Sequence, residues 1–223
     1  MATDAPMAIS TDAALLTLVQ WFSPAFPVGA FHFSHGLEAA VLDGEVPDSA
    51  ALEGWSTEVL RWGAGRVDAC LLAASYRCGT DAARAEIDHI ARARAASRER
   101  LIETTEMGAA FARAVSPLLG ADLPPRSYPV AVGEAACRLG LPLEPTSQTY
   151  LQAFTANLIS AGIRLGVTGQ TDGQRIIAAL APLCREIASE SLDGDLDGIS
   201  ATTFLSDLAA MRHETLYSRM FRT

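Results

Sequence analysis

The chain has 223 residues, 49% of them hydrophobic, and a formal charge of −9 at pH 7. That suffices for a substantial core and carries the wrong sign for a nucleic-acid-binding face. All 17 basic residues are arginine, which excludes a Schiff-base lysine and the lysine of a phosphate-binding P-loop. Cys70, Cys78, Cys137 and Cys184 form no CxxC pair, so neither a disulfide framework nor a zinc site is expected. The N-terminal MATDAPMAISTDAALL is acidic and lacks the basic region of a signal peptide. A reduced, cytoplasmic setting follows as the expectation.

In chain order, residues 1–10 read as a loose tail. Leu15, Leu16, Leu18, Val19 and Phe22 mark a helical stripe over Asp12–Phe22, broken by Ser23-Pro-Ala-Phe-Pro27. Val28–Ser34 is an apolar connector, and Ser34 is placed to cap a short helix, His35–Leu42. Pro47 and Ser49 open a helix carrying Leu52, Trp55, Val59, Leu60 and Trp62, with a bend expected at Gly63 and Gly65 before Val67–Tyr76. Asp81–Leu119 reads as one long helix or two stacked ones, with Ile87, Ile90, Leu101, Phe111, Val115 and Leu118 on one seam. Arg84, Asp88 and Arg92 lie opposite at i,i+4 spacing. Ser127–Leu139 forms a further helix, closed by a turn at Gly140–Pro142.

Pro145–Gln174 is the stretch around which the rest is organised. Arg164 is its only charge between Glu144 and Asp172, while Tyr150, Phe154, Leu158, Ala161 and Leu165 recur at helical spacing. A helix without a charged face packs on most sides against other helices. Ser147, Gln148, Gln152, Asn157 and Ser160 rule it out as a membrane span. Gly166 and Gly169 are expected to close it, and the capping-box spacing of Thr171–Gln174 starts the next helix near Asp172. Gln174–Ser189, an acidic loop Asp193–Gly198 and a last helix, Ser200–His213, complete the chain. No segment alternates with the period of a strand. The fold class is therefore all-α, a single-domain multi-helix bundle over residues 1–223, of nine or ten helices around the charge-poor central one.

No catalytic constellation stands out. His32 and His35 could begin a metal site, but no further ligand falls in register, so no metal and no cofactor are expected. Asp193–Gly198 starts like a calcium loop, yet the position for its bidentate glutamate is Phe204. No glycine-rich phosphate loop, nucleophile elbow or triad can be named. The C-terminal tail, Met211–Thr223, is different. Its three arginines against Glu214 give about +2, interleaved with Leu216, Tyr217, Met220 and Phe221, a mixture enriched at interfaces. It reads as a partner-docking segment in preference to a tail folded back on its own acidic body. Phe31, His32 and Phe33 of the connector, with Tyr217, Arg219, Phe221 and Arg222 of the tail, form the candidate partner-binding set.

Four stretches together resemble the UreF family of urease accessory proteins. They are Leu16–Glu38 with SPAFPVGAFHFSHGLE, Tyr128–Leu143 with YPVAVGEAACRLGLPL, the central helix running into GQTDGQ at Gln174, and the tail MRHETLYSRMFRT. His32 and His35 stand where members often have Tyr and Gln, and the end reads Arg-Met-Phe-Arg-Thr where Arg-Leu-Phe-Arg-Ser is common. The resemblance implies an all-helical, homodimeric, non-enzymatic cytoplasmic protein acting in nickel insertion into urease. Its partners would be UreD (also called UreH), the GTPase UreG and apo-urease, with neither nucleic acid nor membrane among them. Two alternatives to a scaffold stay open: a gate or activator of the GTPase acting through Arg219 or Arg222, and a nickel carrier using His32 and His35.

Overall fold

Residues 11–199 and 203–222 are described in a computed structural model, and the first of them, Thr11–Trp21, wind into helix α1. Of the expected apolar stripe, only Leu18 and the partly buried Phe22 face the core. Leu15, Leu16 and Val19 are exposed, while Ala14, Leu18 and Trp21 are buried. Trp21 decides the rotation, because its ring packs edge-on against Phe111 at 5.2 Å and the largest apolar group gains most from burial. The tail expected over residues 1–10 lies outside the described residues.

A short 3₁₀ turn, Ala30–His32, leads to α2, Leu37–Leu42. α2 starts two residues later than expected, because His35 and Gly36 are both left-handed, with φ of 53° and 76°. Gly36 is required twice over: a Cβ there would also lie 2.6 Å from the backbone nitrogen of Ala210. α3, Ser49–Trp62, is capped by Asp48, whose carboxylate accepts from the Ala51 N–H, and α4, Ala64–Arg77, follows the bend at Gly63. The long helix is in fact two, α5 Asp81–Ala93 and α6 Arg98–Leu119, capped by Thr80 and Ser97. Their apolar positions do not share one seam: Phe111 and Val115 are buried, whereas Leu101 and Leu118 face out. Asp88 pairs with Arg92 at 2.7 Å and accepts from the Ser127 N–H, while Arg84 turns to the carbonyls of Ser75 and Cys78.

α7, Tyr128–Leu139, lies against α4 so closely that a Cβ on Gly133 would overlap the Leu72 carbonyl. The Ser75 hydroxyl donates to the Val130 carbonyl at 2.7 Å. The central helix is α8, Leu143–Arg164, and Gly166 ends it with a φ of 79°. α9, Gln170–Glu190, begins right after Gly169 with no side-chain cap, so the capping box at Thr171 is not used. α10, Phe204–His213, closes the set, and residues 200–202 of its expected start lie outside the described residues. Among the described residues the fold is thus all-α, with ten α-helices and one 3₁₀ turn. One apolar core runs from Ala14 to Phe221. No helix among them is long and apolar enough to cross a membrane.

α8 crosses the middle, with Tyr150, Leu151, Leu158, Ile159 and Ala161 buried. One side departs from the expected burial all round. Ala153, Phe154, Asn157 and Ser160 line a cavity beneath the connector, and Phe154 is only half-buried, against the His35 ring at 4.5 Å. Phe154→Ala is therefore expected to destabilise by about 1–2 kcal/mol, not the ~3–5 of a fully enclosed phenylalanine. Urea denaturation of the two proteins checks this, and a loss above that range would place Phe154 in the closed core.

Candidate functional site

The connector and the tail meet on one face, and α8, α2 and α6 hold them there. The left-handed turn at His35 swings the connector across α8. There the Asn157 amide donates to the Phe33 carbonyl at 3.2 Å, and Arg164 donates to the Phe31 carbonyl at 2.8 Å. Arg164, the only basic residue of the central helix, is sandwiched between the Phe31 ring of the connector and the Phe221 ring of the tail, at 3.7 and 4.1 Å. Two cation–π contacts on one guanidinium rivet three segments together. The Arg222 N–H donates to the His32 carbonyl at 2.8 Å and completes the seam.

Carboxylates of α2 and α6 latch the tail. His213 is fully buried, with Nε2 3.0 Å from Glu38 and Nδ1 2.7 Å from Glu99. Each ring nitrogen thus faces one carboxylate. Glu38 also accepts the backbone N–H groups of Met220 and Phe221, at 2.7 and 2.9 Å. Burial works to raise the Glu38 pKa, but the bonds from His213, Met220 and Phe221 prevail and hold it below its ordinary 4.5. Glu99 binds Arg219 at 2.6 Å, and Glu106 takes Arg222 in a two-pronged pair at 2.7 and 3.0 Å. Arg212 reaches Asp43 and Glu45 at 3.2 and 2.9 Å. The arrangement presents a surface on which the tail's arginines are paired with carboxylates of the body.

That surface belongs to a chain with many relatives of one name. A family model, UreF, matches residues 46–181. The urease accessory protein UreF of Cereibacter sphaeroides (strain KD131) is 54% identical over 212 residues, covering 95% of this chain and 100% of its own. The chain belongs to the UreF family. The protein of the same name from Roseobacter denitrificans is 51% identical over 216 residues, covering 96% of each chain. That of Rhodopseudomonas palustris (strain HaA2) is 43% identical and spans 100% of this chain and 99% of its own. The UreF match runs from just before α3 into α9 and omits both connector and tail, which the similarity to the full-length relative takes in.

The structure sorts the candidate residues of this UreF-family chain into two groups. Phe31 and Tyr217 are exposed, as are His32, Arg219 and Arg222. Phe33 and Phe221 are buried and offer no contact surface; they anchor the connector and the tail from beneath. The tail folds back on its own acidic body, the arrangement placed second on sequence grounds, because its arginines find carboxylates within the chain. His32 and His35 do not converge. His32 faces outward beside Phe31, whereas His35 turns inward to Glu103 at 2.8 Å. No group of three possible metal ligands is gathered among the described residues. Sequence reasoning missed Glu38, Glu99, Glu106, Arg164 and His213. A signal for two of them existed: Glu99, Glu103 and Glu106 share one face of α6 at four- and three-residue spacing, complementary to Arg219 and Arg222.

Proposed function

We propose that this chain is a non-enzymatic urease maturation factor of the cytoplasm, a homodimeric scaffold that bridges UreD/UreH and the GTPase UreG around apo-urease for nickel insertion. The shared name of relatives matched over at least 94% of this chain carries the reading. The tail-on-connector surface supports it. Phe31, Tyr217 and Met220 expose apolar area beside Arg219 and Arg222, and aromatic residues with arginine are enriched at protein interfaces.

A scaffold is favoured over a GTPase activator because Arg219 and Arg222 are already held by Glu99 and Glu106. An arginine acting on a phosphate would first have to leave those carboxylates. A nickel carrier is disfavoured because His32 and His35 point to different neighbours. The test is a pull-down of UreD and UreG with Arg219→Ala, Arg222→Ala and a truncation after Arg212, each with circular dichroism to follow the helices. Recruitment of UreG is expected to fall about tenfold or more when an interfacial arginine is lost, with the helical signal kept. Normal recruitment and urease activation by the truncated chain would move the partner surface elsewhere.

A further inference from the structure

Beneath the connector lies a cavity of about 270 Å³ that the tail surface does not use. Its walls are aromatic: Trp21, Phe22 and Phe26 precede the connector's turn, Tyr128 belongs to α7, and Tyr150 and Phe154 to α8. Phe22, Phe26, Tyr128 and Phe154 are only half-buried, so the space has a mouth and is not a sealed void. The wall rings already meet edge-on or tilted, Phe22 on Tyr150 at 6.0 Å and Tyr128 on Tyr150 at 5.3 Å. These are separations at which aromatic rings attract one another. The floor holds charges, but they are met among themselves. Asp68 accepts from the Tyr150 hydroxyl at 2.7 Å and from Arg100 at 2.8 Å. Glu103 is paired with His35 at 2.8 Å and with Arg100 at 3.6 Å. Nothing there calls for a charged occupant, and an unpaired charge is costly to bring into such a place. Phe31 stands at the mouth: its residue lines the cavity, is 59% exposed and stacks on Arg164 beside the tail.

We propose that this cavity receives an uncharged aromatic side chain, a phenylalanine or tryptophan ring, presented by a partner protein. Such docking rests on the reading of the connector face as a partner surface. A cavity of roughly 150 Å³ takes benzene, so about 270 Å³ has room for a phenyl ring or an indole. Ring–ring contacts stabilise beyond the area they bury, which favours an aromatic occupant over an aliphatic one. Phe31 belongs both to the cavity and to the exposed face with Tyr217 and Met220, so a partner seated on that face reaches the mouth. Residues 1–10, 200–202 and 223 contain no aromatic residue and cannot supply the ring from within the chain.

Ligand-observed NMR on the full chain tests this with toluene and 3-methylindole, which are the two side chains as free molecules. Both are expected to bind saturably. Methylcyclohexane should bind about threefold or more weaker than toluene, the factor for lost ring–ring contact. Benzylammonium should bind about tenfold or more weaker, because its charge must leave water. Ala153→Phe, which fills the cavity from α8, should abolish 3-methylindole binding with the helical signal kept, and Ala156→Leu serves if that variant does not fold. In the pull-down of UreD and UreG, Ala153→Phe should lower recruitment about tenfold, and saturating 3-methylindole should do the same to the wild type. Recruitment lost in Ala153→Phe but kept in the tail variants would uphold the cavity and fault the tail surface. No binding of either aromatic compound, or methylcyclohexane or benzylammonium binding as tightly as toluene, overturns the proposal. Aromatic probes that bind while recruitment stays normal in both arms would make this a site for a free aromatic molecule, with the tail surface still to be judged by Arg219→Ala. A change in the oligomeric state of Ala153→Phe would assign the cavity to a second copy of the chain. Either result also overturns it.

Discussion

Glu38→Ala is expected to release the C-terminal tail while α1 to α9 stay folded. One carboxylate holds His213, Met220 and Phe221 together. Its loss leaves the Met220 and Phe221 N–H groups without their acceptor and one nitrogen of the buried His213 without its partner. Removing one member of a buried ionic cluster costs about 3–5 kcal/mol. The lower end applies here, about 3, because the tail can reach water by peeling away. Limited trypsin digestion reads the effect directly, since cleavage after Arg212 and Arg219 needs a free tail. Glu106→Ala is the control. It breaks an exposed pair with Arg222, worth at most about 1 kcal/mol, and should leave the digestion pattern close to wild type. Equal protection in Glu38→Ala would show that the latch is not what holds the tail.

The same latch has a pH dependence whose sign follows from Glu38. A carboxylate with a lowered folded pKa contributes stability that is present above its unfolded value and is lost as pH falls through the folded one. Tail protection is therefore expected to persist at neutral pH and to fail in acid, below the ordinary glutamate value of 4.5. Digestion with pepsin across the acid range checks it.

The largest loss of stability is expected from Glu134→Ala. Glu134 on α7 is fully buried and paired with two arginines, Arg126 and Arg138. Arg126, itself buried, also reaches Asp81 at 2.5 Å and thereby ties the segment before α7 to α5. Taking away the carboxylate leaves the Arg126 guanidinium inside without its main counter-charge. The expected cost is about 4 kcal/mol, or a drop of about 10 °C in Tm for a chain of this size. Replacing both partners, Arg126→Met with Glu134→Leu, removes the desolvation of the charges as well and should stay within about 1 kcal/mol of wild type. Calorimetry on the three proteins separates the two cases. A Glu134→Ala melt within about 3 °C of wild type would mean that water reaches Arg126.

Much of this protein was determined by the local sequence. Helix existence, the break at Gly63 and the end of α8 at Gly166 follow from propensity, spacing and the backbone freedom of glycine. These are interactions between residues a few positions apart. The tail was legible as a basic, aromatic segment, and Glu99 and Glu106, which receive its arginines, could have been read as its complement. What the tertiary structure alone decided is which faces turn inward. Leu15, Leu16 and Val19 form as good a stripe as Ala14, Leu18 and Trp21, and only the packing of Trp21 on Phe111 chooses between them. His35 looked like half of a metal site, and its left-handed turn made it a partner of Glu103. Glu38 and His213 stand 175 positions apart, and no periodicity links residues so distant. Their pairing exists because the core brings α2, α6 and α10 together, and polar groups buried there must find partners in one another.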